Sequence, residues 1–224
     1  MNYTGGSGTV SGSHPIEVVA FLPSGGNNPA HALVTTNNSS YTITGLVNGT
    51  AYTVVAAFNP SVTGFHWSPP PGSFAALYGT ALCSPSSSPQ VTVTGNMSGI
   101  NLTFGNTNIL NGYGGTAGYS GSAGNVDQCH GVMVSTYPAG TGIGGIGSAN
   151  NNNEYVNTNG GSFYMINSVG GSSVCVTQTQ DILAFFDKAG TGSIQTGDPY
   201  IFLDSQSSST SPNLTISIDD TNIY

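Results

Sequence analysis

Charge is what this chain has least of: Lys188 is its only Lys or Arg, and charged residues are 4% of the 224, against about 25% in an ordinary soluble protein. Proteins hold a phosphate backbone with Lys and Arg that release its counterions, so nucleic acid is excluded as a partner. An anionic membrane surface is excluded for the same reason. No apolar run approaches the roughly 18 residues of a spanning helix, and no segment sustains helical periodicity, so no membrane span and almost no helix are expected. Disorder is excluded as well, because 37% of residues are hydrophobic and Val, Ile, Tyr and Phe alternate with polar residues.

No export signal is visible, since Met1-Asn-Tyr-Thr-Gly-Gly has neither a basic start nor an apolar core,; the expectation is that the signal has been removed or that the sequence is an excerpt. Poverty in Lys together with richness in Asn, Thr and Ser nevertheless points outside the cell, so an extracellular or cell-surface location is expected. Cysteine is scarce: Cys83, Cys129 and Cys175. Cys129 and Cys175 fall on segments read as an early and a middle strand of the second half, and a disulfide between them would close a loop of about 45 residues and contribute a few kcal/mol. Cys83 is then a buried thiol, or bonds to Cys129 or to another subunit.

What the chain does have is a repeat. Tyr41-Thr-Ile-Thr-Gly-Leu-Val-Asn-Gly-Thr-Ala-Tyr-Thr-Val-Val-Ala-Ala-Phe58 returns in altered form from Phe163 to Val176 and again at Leu183-Ala-Phe-Phe186. Tyr41, Ile43, Tyr52 and Val54 share one face of two strands, and Asn48-Gly49 accepts positive φ, which predicts a hairpin. Further strands are predicted at 16–22, 32–36, 73–83, 91–94, 100–104, 131–137, 182–187, 201–204 and 214–218. The fold class expected is all-β, two tandem Ig-like or prealbumin-like antiparallel β-sandwiches. Residues 1–13 form a Gly/Ser-rich lead without a core of its own, a candidate donor segment; 14–108 are the first sandwich, 109–118 a linker and 119–224 the second.

The Gly-x-Val-Ser-Gly lead, the Tyr-x-Ile-x-Gly-Leu-x-x-Gly-Thr-x-Tyr-Thr-Val hairpin and Leu183-Ala-Phe-Phe-Asp-x-x-Gly-x-Gly-x-x-x-x-Gly-Asp-Pro-Tyr200 together resemble the carboxypeptidase-regulatory-like, or prealbumin-like, sandwiches of bacterial surface proteins. The resemblance covers most of both modules and departs from that family in lacking a charged surface. It implies a scaffold, since such domains serve as spacers, adhesin stalks and accessory modules.

Site motifs are few. In Asp187-Lys-Ala-Gly-Thr-Gly-Ser-Ile-Gln-Thr-Gly-Asp198, the residues Asp187, Thr191, Gln195 and Asp198 fall at liganding positions of a calcium loop, with Ala189 breaking the pattern at the third,. The segment is either a weak calcium site or a plain Gly-rich turn; no other cofactor is expected. Trp67 with Tyr78 forms a candidate sugar platform, or else caps the sandwich. Asn2, Asn37, Asn38, Asn48, Asn96, Asn101 and Asn213 each precede x-Ser/Thr, in about the number that so Asn- and Ser-rich a chain produces by chance. His14, His31, His66 and His130 fit no metal spacing, and Asp219-Asp220 reads as a solvated strand exit, so no catalytic residue is assigned and no enzyme is expected.

The joint between the modules carries the functional expectation. Thr107-Asn-Ile109 recurs as Thr221-Asn-Ile223, and Asn111-Gly-Tyr-Gly-Gly115 resembles Met1-Asn-Tyr-Thr-Gly-Gly6. One chain's C-terminus followed by another's N-terminus would recreate the joint. The expected partner is therefore the chain itself, as a head-to-tail homopolymer whose subunits are joined by β-strand complementation, with glycans as further partners. A carbohydrate-binding or adhesin stalk module is the alternative.

Overall fold

The computed structural model describes residues 1–22, 30–63, 69–80, 82, 90–146, 152–166, 177–211 and 213–224. Its strands form where the sequence is β-branched or aromatic, and one short 3-10 turn, Ile143–Gly145, is its helical element among the described residues,. The architecture is all-β. The chain divides into two units, Met1–Asn111 and, for the second, Gly112–Ser168 with Thr177–Tyr224.

In the first unit, β1 (Asn2–Tyr3) pairs in parallel with β7 (Thr103–Phe104). A larger antiparallel sheet runs in the order β3 (Ala30–Val34), β2 (Ile16–Phe21), β4 (Ala51–Phe58), β5 (Phe74–Leu77), and β6 (Val91–Thr92) pairs with the start of β4. In the second, β10 (Asn152–Val156), β9 (Val132–Pro138), β12 (Thr179–Phe186) and β13 (Tyr200–Ser207) form an antiparallel sheet, while β11 (Gly161–Ile166), β8 (Gly112–Tyr119) and β14 (Leu214–Ile218) form another in that order. β8 is central there, antiparallel to β11 and parallel to β14. The inner strands read as continuous apolar runs because both faces are covered. In β12, Ile182, Ala184 and Phe186 enter the main core, while Leu183 and Phe185 lie under Met133 and Tyr137 on the other side.

Four expectations change. The hairpin over 41–58 does not form: the Asn48-Gly49 turn is present, with Gly49 at φ 81, but β4 pairs with β2, β5 and β6. In the second unit the matching segments β11 and β12 belong to different sheets. Residues 112–118, expected as linker, are most of β8. The sheets are not purely antiparallel, since β1 and β8 each have a parallel neighbour. The lead is not free of a core either, since Met1, Tyr3 and Val10 are buried in the first unit.

Candidate functional site

The two units repeat at the level of single side chains. Tyr3 precedes Ile16 by thirteen residues and Tyr119 precedes Val132 by thirteen. The Tyr3 amide donates to Asn37 Oδ1 at 2.7 Å and Asn37 Nδ2 donates to the Tyr3 carbonyl at 2.6 Å; Asn159 holds Tyr119 in the same two ways, at 2.8 and 3.0 Å. The Tyr3 hydroxyl donates to Asn106, and that of Tyr119 to Asp220. Both rings lie against the last Phe of the central strand, Tyr3 at 4.5 Å from Phe58 and Tyr119 at 4.2 Å from Phe186. Tyr3 therefore corresponds to Tyr119 and not, as the sequence of the joint suggests, to Tyr113.

That register exposes a difference. The second core contains Tyr113, Ala117, Tyr119, Val132, Val134, Val156, Phe163, Met165, Ile182, Ala184, Phe186, Ile216 and Ile218. Each except Tyr113 has a first-unit counterpart packed into the first core or against it, from Met1 for Ala117 and Tyr3 for Tyr119 to Leu102 and Phe104 for Ile216 and Ile218. Among the described residues of the first unit none takes the position of Tyr113. The five residues Gly112–Thr116, which lie between β11 and β14, have no equivalent between residues 40–44 and 98–101.

The result is a vacant strand position. An open cavity of about 760 Å³ runs between these two stretches, lined by Tyr41, Ile43, Leu46, Val54, Met97 and Ile100 among others. Phe163 and Met165 are each 1% exposed under Tyr113, whereas their counterparts Tyr41 and Ile43 are only half-buried. Among the described residues, 40–46 take part in no backbone–backbone hydrogen bond, although 161–166 form a full strand. The Tyr41 hydroxyl spans the gap and donates to the Ile100 carbonyl at 2.7 Å. The Met1 ammonium closes one end, donating to the Ser39 carbonyl at 2.9 Å. Alternation at 100–104 predicted a strand, and only 103–104 form one, because 100 and 101 lack the neighbour that 214 and 215 have.

The remaining motif residues divide. Asp187 is buried and spends both carboxylate oxygens on the amides of Thr191 and Gly192, at 2.9 and 2.6 Å. Thr191 Oγ1 donates to the Ser193 carbonyl. Asp198 accepts from the Gln195 amide at 2.8 Å through one oxygen, and its other oxygen is buried without a hydrogen bond. Burial and the neighbouring Asp187 carboxylate raise the Asp198 pKa. Asp187 thus works as the cap of a tight turn, with both its oxygens pointed at backbone. Among the described residues no three of His, Cys, Asp and Glu come together as a metal site would need. Asp220, expected to be merely solvated, receives the Tyr119 hydroxyl and the amide and hydroxyl of Ser122.

Cys129 is an exposed free thiol; Cys175, its expected partner, and Cys83 lie outside the described residues, as does Trp67. Tyr78 packs against the first core. Of the sequon residues, Asn38, Asn48, Asn96, Asn101 and Asn213 are exposed, Asn2 is half-buried in β1, and Asn37 is committed to Tyr3. The vacant position escaped the sequence reading although a signal for it was present, in the equal spacing from Tyr3 to Ile16 and from Tyr119 to Val132. Among the described residues no helix is long and apolar enough to cross a membrane. No family model matches the chain, and neither a curated protein nor a solved structure does.

Proposed function

We propose that the chain is the structural subunit of an extracellular or cell-surface filament, built from two tandem prealbumin-like sandwiches joined head to tail by β-strand complementation. The observation that supports this is the apolar trough of the first unit between residues 40–46 and 97–101, where 40–46 take part in no backbone–backbone hydrogen bond among the described residues. A sheet interrupted at its centre leaves two rows of backbone groups and an apolar trough that a strand from another subunit satisfies together. Such a contact is heterologous: the acceptor surface differs from the donor, so it propagates instead of closing. The exposed sequon asparagines leave glycans room on the chain's surface.

Negative-stain electron microscopy of native material, beside size-exclusion chromatography of the recombinant chain, tests the reading. Filaments with an axial repeat of two units are expected. Isolated particles that stay monomeric at high concentration would overturn it.

A further inference from the structure

We infer that the peptide bond between Asp198 and Pro199 is a self-cleavage site: in mild acid Asp198 Oδ1 attacks the carbonyl carbon of its own residue, and the folded chain divides into 1–198 and 199–224. The inference does not depend on the filament reading.

The repeat shows that the fold does not require these two residues. Residues 70–73 and 195–198 form the same turn: the Ser73 amide donates to the Pro70 carbonyl at 3.1 Å, and the Asp198 amide to the Gln195 carbonyl at 3.0 Å. The Ser73 carbonyl accepts from the Leu110 amide at 2.9 Å, as that of Asp198 does from the Tyr224 amide at 3.0 Å. In the first unit the buried position holds a serine whose hydroxyl donates to the Pro70 carbonyl, and Phe74 follows. In the second it holds a fully buried carboxyl followed by Pro199, the only Asp-Pro pair in the chain. One oxygen of that carboxyl accepts from the Gln195 amide at 2.8 Å, and Oδ1 has no hydrogen-bond partner among the described residues. Burying an oxygen without a partner costs stability. It also leaves a free nucleophile beside the carbonyl of the same residue.

The reaction is an acyl transfer. Oδ1 bonds to the Asp198 carbonyl carbon, the carboxyl proton passes to the Pro199 nitrogen, and the bond between that carbon and nitrogen breaks. Residue 198 is left as a cyclic anhydride and Pro199 as a free secondary amine; water then opens the anhydride to two carboxyls, and nothing is oxidised or reduced. Proline suits the leaving role because its amide nitrogen is tertiary and gains a proton more readily than a secondary one. Charge developing on the carbonyl oxygen meets the Tyr224 amide already in place,. The charged and titratable groups facing the carboxyl are Asp187 and Lys188 of the same loop and, from the tail paired beside it, Tyr224, whose ring meets that of Tyr200. Lys188 also faces Asp220. Burial and then the Asp187 carboxylate keep Asp198 protonated to higher pH than an ordinary aspartate, against the opposing pull of the Gln195 amide and Lys188. The cut leaves both pieces seated, since β13 stays paired with β12 and β14 with β8.

Intact-mass spectrometry of the full chain between about pH 7 and pH 4 follows the appearance of 1–198 and 199–224, with the chain unfolded in urea at the same pH as the reference. The folded chain should be cut about tenfold faster, because the fold holds the attacking oxygen in place. Equal or slower cleavage of the folded chain would be the ordinary acid lability of an Asp-Pro bond and would overturn the inference. Asp198→Ser, which installs the first unit's residue, and Pro199→Ala should each leave the folded chain whole; scission at this bond in Asp198→Ser would overturn it as well. Asp187→Asn should move the onset of cleavage to lower pH, and an unmoved onset would remove the buried carboxyl from the reaction.

Discussion

Tyr41 and Phe163 occupy one position of the repeated unit and differ by a hydroxyl, which in Tyr41 reaches the Ile100 carbonyl across the gap. Burial, with the Tyr78 phenol group as a lesser cause, pushes the Tyr41 pKa to about 12, and burial pushes Tyr113 to about 12 as well. Both stand above the ordinary value of about 10. For an acid with a raised folded pKa, the stabilisation is complete below the unfolded value and is lost as pH rises through the folded one. Stability should therefore fall between about pH 10 and 12. Burial also raises Tyr119, Tyr137 and Tyr155, so a spectrophotometric titration should find these tyrosines ionising late together with Tyr41 and Tyr113, and Tyr41→Phe should remove one of the group. That variant should cost about 1 kcal/mol, because one hydrogen bond is lost while the second unit already accommodates a phenyl ring there. A cost of several kcal/mol would mean the hydroxyl holds the two stretches together.

Among the elements, β12 is the one whose polar interior bears testing. Its ladder with β13 shifts register between Gln180 and Ile182. Asp181 sits at that bulge, fully buried, and accepts from the amides of Ser205 at 3.0 Å and Gly142 at 3.1 Å. Burial pushes its carboxyl up, but the amides of Ser205, Gly142 and Gly140 and the Asp204 carboxyl outweigh this and hold it below the ordinary range. A depressed folded pKa contributes stability above the unfolded value that disappears as pH falls through the folded one. Asp181→Ala should cost on the order of 3 kcal/mol at neutral pH, two charge-assisted bonds to amides being lost. Urea unfolding should show the gap to wild type narrowing below about pH 4. A constant gap down to about pH 2 would assign the loss to packing instead. Strand β7 teaches the complementary point: its propensity continues back to Ile100, but strand formation needs a partner.

At the scale of the molecule, stability comes from two cores and not from charge. The ion pair found among the described residues, Asp127 with His130 at 3.1 Å, lies on the surface, where such pairs contribute about 0–1 kcal/mol. Asp187 and Asp198 in turn repel one another. Raising sodium chloride from low concentration to about 1 M, where the screening length is roughly 3 Å, should leave the urea midpoint unchanged or slightly higher. A marked fall would reveal attractive electrostatics that these residues do not display.

The sequence by itself determined the all-β class, the duplication, the position of most strands and the poverty of charge, because each is a matter of residue type and period along the chain. It made Asp187 and Asp198 visible as a pair but left open whether their oxygens face a cation or backbone. The tertiary structure decided that for Asp187, whose oxygens both turn to amides. It also decided sheet membership, sending β11 and β12 to different sheets where local turn chemistry suggested a hairpin. Pairing partners are chosen by which apolar faces meet across the core, which a single strand's pattern does not encode. The vacant position is the clearest case. Tyr41, Ile43 and Ile100 read as ordinary core residues, and only the tertiary structure shows that no strand of the described residues lies between them.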